Sequence, residues 1–449
     1  MLGLTKAFGA LYLASLLMQL GSTLLMTYLA LRLTADGVAE FWGGALMAAN
    51  ALGMVAGGRV GRVLIERVGH IRTYVACAGV IAAAVLAHEF SSALPLWLFL
   101  RALVGLAMMC QLMVLESWLN DRAQSDQRGK VLGIYMVAVY VGMMLGQLAL
   151  SLNGDLGIHA LLGVAMAFAL CLVPVALTGS MHPAALRPAP IDIRLFLRRV
   201  PQSLVTILIS GMINGGFYGL ASIYASQQGL GTVEIGQFMA LAIAAGLLAQ
   251  LPLGWLSDRL PRASLIRGVA VLLVLACLPL AFYQDLSFGP LLLFGAGIGF
   301  LQFCLYPLGV ALANDKIEAE LRVSLAGLLL VAFGIGACIG PLLAGALMEQ
   351  FGASSLYGFF AACAALLALA VGQGKVTGEH LQADAPLQAA KPLYTPRLSS
   401  AGRSYPVEAA HFPARREEAI EHQARRAIER RSLAWRSKPA SVSIARSRG

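Results

Sequence analysis

Long apolar runs, each closed by a short polar gap, fill most of the first 372 residues. They lie near 7–31, 38–58, 71–90, 94–117, 129–152, 158–178, 201–226, 233–256, 265–284, 289–313, 323–348 and 355–372. A helix needs about 20 apolar residues to cross a bilayer. The pattern therefore predicts an all-α membrane protein with twelve transmembrane helices. An N-terminal six-helix bundle spans 1–178 and a C-terminal one spans 201–372. A cytoplasmic linker over 179–200 joins them, and a tail over 373–449 follows.

Two of the polar gaps echo each other. The first reads Arg62-Val63-Leu64-Ile65-Glu66-Arg67-Val68-Gly69, and the second Gly254-Trp255-Leu256-Ser257-Asp258-Arg259-Leu260-Pro261-Arg262. Each sets an acid beside an Arg between two apolar runs, and the two pairs are 192 residues apart. A tandem repeat with a matching polar hinge in each half is the layout of a secondary transporter.

Charge fixes the expected orientation. Only 12% of residues are charged, against about 25% in a soluble domain, 58% are hydrophobic, and mean hydropathy is +0.75. The even-numbered connections and the linker hold Arg59, Arg62, Arg67, Arg72, Arg122, Arg128, Lys130, Arg187, Arg194, Arg198, Arg199, Arg259, Arg262, Arg267, Lys316 and Arg322. The odd-numbered connections hold Arg32 at most. Basic loops stay cytoplasmic, so both termini are expected on the cytoplasmic side. The first run is too long for a signal-peptide core and reads as an uncleaved helix. All seven Cys fall within runs and no CxxC occurs, which fits buried thiols rather than disulfides or metal ligands. No cofactor and no metal is expected.

Pro183 to Pro190 should be extended, and Ile191–Arg199 reads as a short surface helix. The tail carries 14 Lys or Arg and 7 Asp or Glu, so +7 of the net +10 lies there. Within it, 413–436 has an amphipathic helical pattern with one aromatic, Trp435, on the apolar face. Such a segment either lies on an anionic leaflet or stays solvated. No motif supports nucleic-acid binding.

The twelve runs, the long central loop and the repeated hinge resemble the major facilitator superfamily over residues 1–372. The hinge is similar to that family's motif A, Gly-x-Leu-Ala-Asp-Arg-x-Gly-Arg. The second copy matches through Gly254, Leu256, Asp258, Arg259 and Arg262, with Pro261 in place of a Gly. The first is degraded: Arg62 replaces the opening Gly, Glu66 replaces Asp, and His70 replaces the Arg after Gly69. Glu116-Ser117, Gly129 to Tyr135, Tyr140-Val141-Gly142 with Gly146-Gln147, and Gly246 to Asp258 look most like the bacterial YcaD-type branch. The resemblance implies gating by Glu66, Arg67, Gly69, Gly254, Asp258, Arg259 and Arg262. Glu66 and Asp258 are expected just before the third and ninth helices, where a helix N-terminus favours a carboxylate by roughly 0.3–1 kcal/mol. Arg67 and Arg259 are expected to pair across the seam between halves in one conformation. Simple anchoring of short cytoplasmic loops is the alternative.

Arg101-Ala102-Leu103-Val104-Gly105 resembles motif B. Arg101 is the only charge well inside a run, about 10 Å past Leu94 at 1.5 Å per residue. Insertion scales set the cost of such a charge at roughly 2.5–3.5 kcal/mol near the bilayer centre. The resemblance gives it a coupling or anion-binding role, with the hydroxyls of Thr23 to Tyr28 as expected partners; snorkelling to the outer interface is the bland alternative. Glu116, at the inner end of the same helix, is a candidate proton carrier or a solvated helix end. Gly142 with Gly146 and Gly336 with Gly340 are spaced for close helix approach, and Pro341 should bend its helix. The exporter-type Gly-Pro expected on helix five reads Gly146-Gln147 here.

Helices 1, 4, 7 and 10 line the path in that family. Their mid-span candidates are Gln19, Thr23, Thr27, Gln111, Asn214, Tyr218, Gln302 and Tyr306, with Met108, Met109 and Met113 on helix 4. Amides, phenols and thioethers make an adaptable pocket. With no mid-span carboxylate, the expected cargo is a neutral, zwitterionic or weakly anionic amphipathic solute. The expectation is a non-enzymatic, monomeric, proton-coupled transporter, with efflux favoured by the Met and aromatic lining. Uptake of a small neutral or anionic metabolite is the alternative. A membrane-embedded transferase or a tail-signalling sensor are readings from other classes; His88-Glu89 is the one neighbouring pair that a transferase would use.

Overall fold

Helix runs through each of the apolar segments because in hydrocarbon the backbone has no other partner for its N–H and C=O groups. A computed structural model describes residues 2–123, 127–150, 157–176, 193–283, 286–318 and 321–372. The expected tail helix over 413–436 and the extended stretch over 183–190 lie outside the described residues. The helices are α1 (Leu2–Ala35), α2 (Glu40–Val68), α3 (His70–Ala87), α4 (Leu94–Arg122), α5 (Arg128–Leu150), α6 (Ile158–Leu170) and α7 (Leu172–Ala176). After these come α8 (Ile193–Arg199), α9 (Pro201–Gln227), α10 (Thr232–Ser257), α11 (Arg262–Phe282), α12 (Phe288–Asn314), α13 (Arg322–Phe351) and α14 (Ser355–Ala370). A 3-10 turn covers His88–Phe90, and no strand occurs among the described residues.

Ten of these segments are long and apolar enough to cross a membrane, with α6 and α7 counted as one. They are interrupted at Cys171, because Pro174 has no N–H to give the Leu170 carbonyl. The other two differ for separate reasons. Helix α14 has 16 residues, about 24 Å of rise. Helix α2 runs ten residues beyond the expected end at 58. Nothing after Gly58 breaks it until Gly69, whose φ of 86° and N–H bond to the Ile65 carbonyl close it. The first hinge is thus the charged last turns of α2 rather than a loop.

The pairing of helices repeats along the chain. Helix α1 packs on α5 as α9 packs on α13, α2 on α4 as α10 on α12, and α3 on α4 and α6 as α11 on α12 and α14. Small residues make the α1–α5, α9–α13, α2–α4 and α10–α12 contacts. Gly142 and Gly146 of α5 rest on the α1 backbone at Leu16 and Leu20, while Gly336 and Gly340 of α13 rest on the α9 backbone at Leu208 and Met212. Gly53 meets Ala102 and Gly105 meets Asn50 between α2 and α4. Gly299 meets Ala242 between α12 and α10. A Cβ at any of these positions would collide with the facing helix. Across the two repeats, α2 packs on α13 and α9, α5 on α10, and α1 on α9. Helix α8 seats Phe196 in a small apolar cluster with Ile207, Leu325 and Leu329, in line with the expected surface helix.

Candidate functional site

Arg101 lies two turns into α4, where Gly105 brings that helix against α2. Its side chain is 2% exposed, and its Nε has no hydrogen-bond partner. It lines a cavity of about 10 Å³ with Met26, Leu29, Met47 and Gly219, from α1, α2 and α9. That is room for one water. The hydroxyls expected to hold it are taken elsewhere. Thr23 donates to the carbonyls of Gln19 (2.9 Å) and Met143 (3.0 Å), and Thr27 donates to Gln147 Oε1 at 2.8 Å. Both Thr residues tie α1 to α5 and leave the guanidinium alone.

The other expected cavity residues separate into two groups. Gln111 points away from any central path: its amide donates to the Tyr74 carbonyl at 3.4 Å and faces Cys171 Sγ, between α3 and α6. Met109 and Met113 fill the gap opposite Gly57 and Gly61 of α2, so they serve helix packing. Gln19 is half-buried and offers its carbonyl to Thr23. Asn214 and Gln302 behave differently. Asn214 Nδ2 donates to Ser210 Oγ at 3.1 Å while its Oδ1 has no partner. Gln302 is fully buried with both amide atoms unpaired. An unpaired buried amide costs about 1–3 kcal/mol per group, so this pair on α9 and α12 is poised for a ligand or water.

A cluster not anticipated from the sequence joins the repeats. Phe303 of α12 packs edge-on against Phe217 of α9 (5.8 Å) and Tyr140 of α5 (6.1 Å), and lies tilted on Tyr218 at 5.7 Å. Gln250 of α10 donates to Tyr140 Oη and to the Phe303 carbonyl, each at 3.4 Å. Tyr218 Oη reaches Met143 Sδ at 3.9 Å. Tyr306 sits a turn further on, edge-on to Phe333 at 5.1 Å. No periodicity marks Phe303 or Tyr140 apart from the other aromatics of these spans; only the packing of four helices brings them together.

Glu66 precedes α3 and Asp258 precedes α11, but each lies at the C-terminal end of the helix before it. Glu66 and Arg67 are exposed on the last turn of α2, with no partner. Glu66 is therefore at a helix C-terminus, where the dipole disfavours a carboxylate. His70 replaces the family's Arg by packing inward, its Nε2 3.3 Å from Ser117 Oγ on α4. In the second copy, Asp258 caps α10 and pairs with Arg262 at 3.5 Å. Arg262 also grips Asp315 and donates to the Ala311 carbonyl at 3.3 Å. Arg259 lies over the Trp255 ring at 3.8 Å, and Gly254 stands open, with nothing within 4 Å of where a Cβ would be. Among the described residues, no ion pair of either hinge crosses between the repeats. Glu116 is exposed on α4, within electrostatic reach of Tyr135 and Tyr306.

The opposite end is interlocked. Gly43 of α2 meets Ile223 of α9, Gly219 meets Met47, and Gly44 meets the Pro341 carbonyl of α13. Gln227 donates to Glu40 across the same seam. One end is thus closed by close helix packing, while at the other Glu66, Arg67 and Asp258 stand exposed.

These features define a multi-pass membrane transporter built from two repeats. The model of the Major Facilitator Superfamily matches residues 11–306, and the chain belongs to that superfamily. It is 28% identical over 345 residues to the MFS-type transporter YcaD of Salmonella enteritidis PT4, covering 76% of this chain and 89% of that one. It is 29% identical over 371 residues to the MFS-type transporter Ent638_1421 of Enterobacter sp. strain 638, covering 81% and 94%. The YcaD-type branch is thus the one expected from its motifs. Among solved structures it is similar to the nucleoside transporter NupG (TM-score 0.66, 15% identity, 81% of this chain and 97% of that one). It is also similar to a bacterial homologue of the human lysosomal transporter Spinster in an inward-facing, unoccupied conformation (TM-score 0.68, 15% identity, 82% and 95%).

Proposed function

We propose that this chain is a secondary active transporter that exports a small amphipathic solute across the bacterial inner membrane in exchange for protons. Its frame is twelve spans in two six-helix bundles, 1–178 and 201–372, with both termini cytoplasmic. Helices α2 and α14 complete the twelve. The observation that carries the reading is the unequal closure of the two ends. Contacts at Gly43, Gly44 and Gly219 seal the side that basic loops avoid, while Glu66, Arg67 and Glu116 stand exposed on the other. That is one state of an alternating-access cycle, open to the cytoplasm. In the other state Arg67 and Arg259 close the inner seam, and Gly254 and Gly69 permit the approach.

Asn214, Tyr218, Gln302 and Tyr306 form the solute site, with Gln19 at its edge. Unpaired amides beside an aromatic cluster suit a neutral or zwitterionic solute that brings both donors and acceptors. Arg101 is the ionic element of coupling, and Glu116 returns protons to the cytoplasmic side. The test is purified protein in proteoliposomes with an imposed pH gradient and a panel of labelled amphipathic compounds. Accumulation driven by the gradient, collapsing with a protonophore, is expected; movement of no compound in either direction would overturn the reading. A reporter fused after Gly372 should be active only in the cytoplasm.

A further inference from the structure

A second cavity, of about 70 Å³, lies off the central path at the sealed end. Helix α1 contributes Tyr28 and Arg32, the turn after it Asp36, the 3-10 turn His88 and Glu89, and α4 Trp97. Glu89 and Ser92 at its rim are exposed, so it communicates with solvent on that side. His88 is its buried wall, 3% exposed. Its Nδ1 lies 2.8 Å from the Ala84 carbonyl, which accepts only, so Nδ1 carries the hydrogen. Nε2 is then a bare lone pair, and it has no partner.

The same ring touches the coupling machinery. His88 packs edge-on against Trp97 at 5.6 Å, and Trp97 is held by its Nε1–H to the Ser91 carbonyl at 2.7 Å. Trp97 and Arg101 are one turn apart on α4 and share a face. Burial first, and the Arg101 charge behind it, keep the His88 ring neutral at rest. Leu29 lines both this cavity and the small one at Arg101. One side chain therefore separates an externally open polar cavity from the central seam.

We propose that this cavity is an external proton-binding site, in which His88 Nε2 takes the proton and Arg101 is the charge that responds. Nε2 is itself covered in this state; when the cavity wall opens to admit a water, a hydronium gives its proton to the Nε2 lone pair and leaves as water, making an imidazolium. Two cations then face each other across dry packing, and repulsion drives the guanidinium toward the central seam, loosening the Gly43 and Gly219 contacts. The groups facing His88 favour filling from outside. Asp36 and Glu89 at the rim attract the incoming proton. Arg32 is engaged at 3.2 Å with Asp36, and Tyr28 completes the α1 side. Helix α6 contributes only Leu161 to the cavity, with His159 exposed beyond it. The inference rests on the transport reading for its orientation and for the role of Arg101.

The experiment uses the full chain, reconstituted in one orientation, with protons as the probe and Trp97 fluorescence as the readout. An imidazolium at the indole edge quenches its emission. Acidifying the bath on the α1–α2 side should quench wild type, and acidifying the other compartment should not. The quench should vanish in His88→Asn, which keeps a donor for Ala84, and in Trp97→Phe. Arg101→Gln should let it set in under less acid conditions, because the opposing cation is gone. A quench that survives in His88→Asn, or that follows the cytoplasmic compartment, would overturn the site. Gradient-driven accumulation undiminished in His88→Asn would overturn its coupling role and leave transport standing. A His88-dependent quench in a protein that moves no solute would support the site and remove the transport reading.

Discussion

Arg262, the first residue of α11, grips Asp315 at the end of α12, so the second hinge is bolted to its own repeat rather than to the other one. Both side chains are largely buried, whereas Asp258, the acid of the motif, is 75% exposed. An exposed pair contributes under about 1 kcal/mol, while a hydrogen bond to a partly buried charge contributes about 2 kcal/mol. Arg262→Ala should therefore lower stability by about 2 kcal/mol in a thermal unfolding assay, and Asp258→Asn by much less. Equal losses would show that the buried pair contributes no more than the exposed one.

Transport should order the two acids differently. Asp258→Asn alters a network that the hinge must rearrange, but Glu66 has no partner to lose in this conformation. Asp258→Asn is expected to slow gradient-driven accumulation more than Glu66→Gln at matched expression. Rates equal to wild type in both would remove the gating role.

Gly105 and Gly53 hold α4 and α2 at backbone contact, and Arg101 is buried because of that contact. A side chain there must push the helices apart, costing about 3 kcal/mol. Gly105→Val and Gly53→Val should each reduce the folded yield sharply on size-exclusion chromatography. Gly58→Ala, where nothing lies within 4 Å, should elute like wild type and serves as the control.

Arg101→Lys and Arg101→Ala are both expected to fold and to lose accumulation under a pH gradient. Lys keeps the charge, but its compact, strongly hydrated ammonium lacks the planar fork. Exchange of solute without a gradient should survive if the residue couples rather than binds. Wild-type accumulation in Arg101→Ala would reduce it to a packing cation.

Gln302 carries two buried atoms with nothing to bond. Replacing it with Leu removes that cost, so Gln302→Leu should raise the unfolding temperature of the empty protein while lowering solute transport at least tenfold. Unchanged transport would take Gln302 out of the solute site.

Much of this protein is legible in its amino-acid sequence. Apolar runs of membrane length dictate helix, since the bilayer offers the backbone no alternative. The 192-residue echo announces the repeat, and the spacing of Gly142 with Gly146 and Gly336 with Gly340 marks close contacts. Arg101 stands out because a charge inside a span needs protein around it. What stays hidden is which way each mid-span side chain faces. Lipid is as apolar as a helix interface, so a span is hydrophobic on every side and its pattern carries no inside or outside. Gln111 turning toward Tyr74, Thr27 bonding Gln147, Met113 filling the gap at Gly61, and Phe303 gathering Tyr140 and Tyr218 are all decided by packing. So is the place of Glu66. Without a breaker before Gly69, α2 carries it into a helical last turn, and only the positions of α11 and α12 decide that Arg262 binds Asp315 instead of crossing the seam.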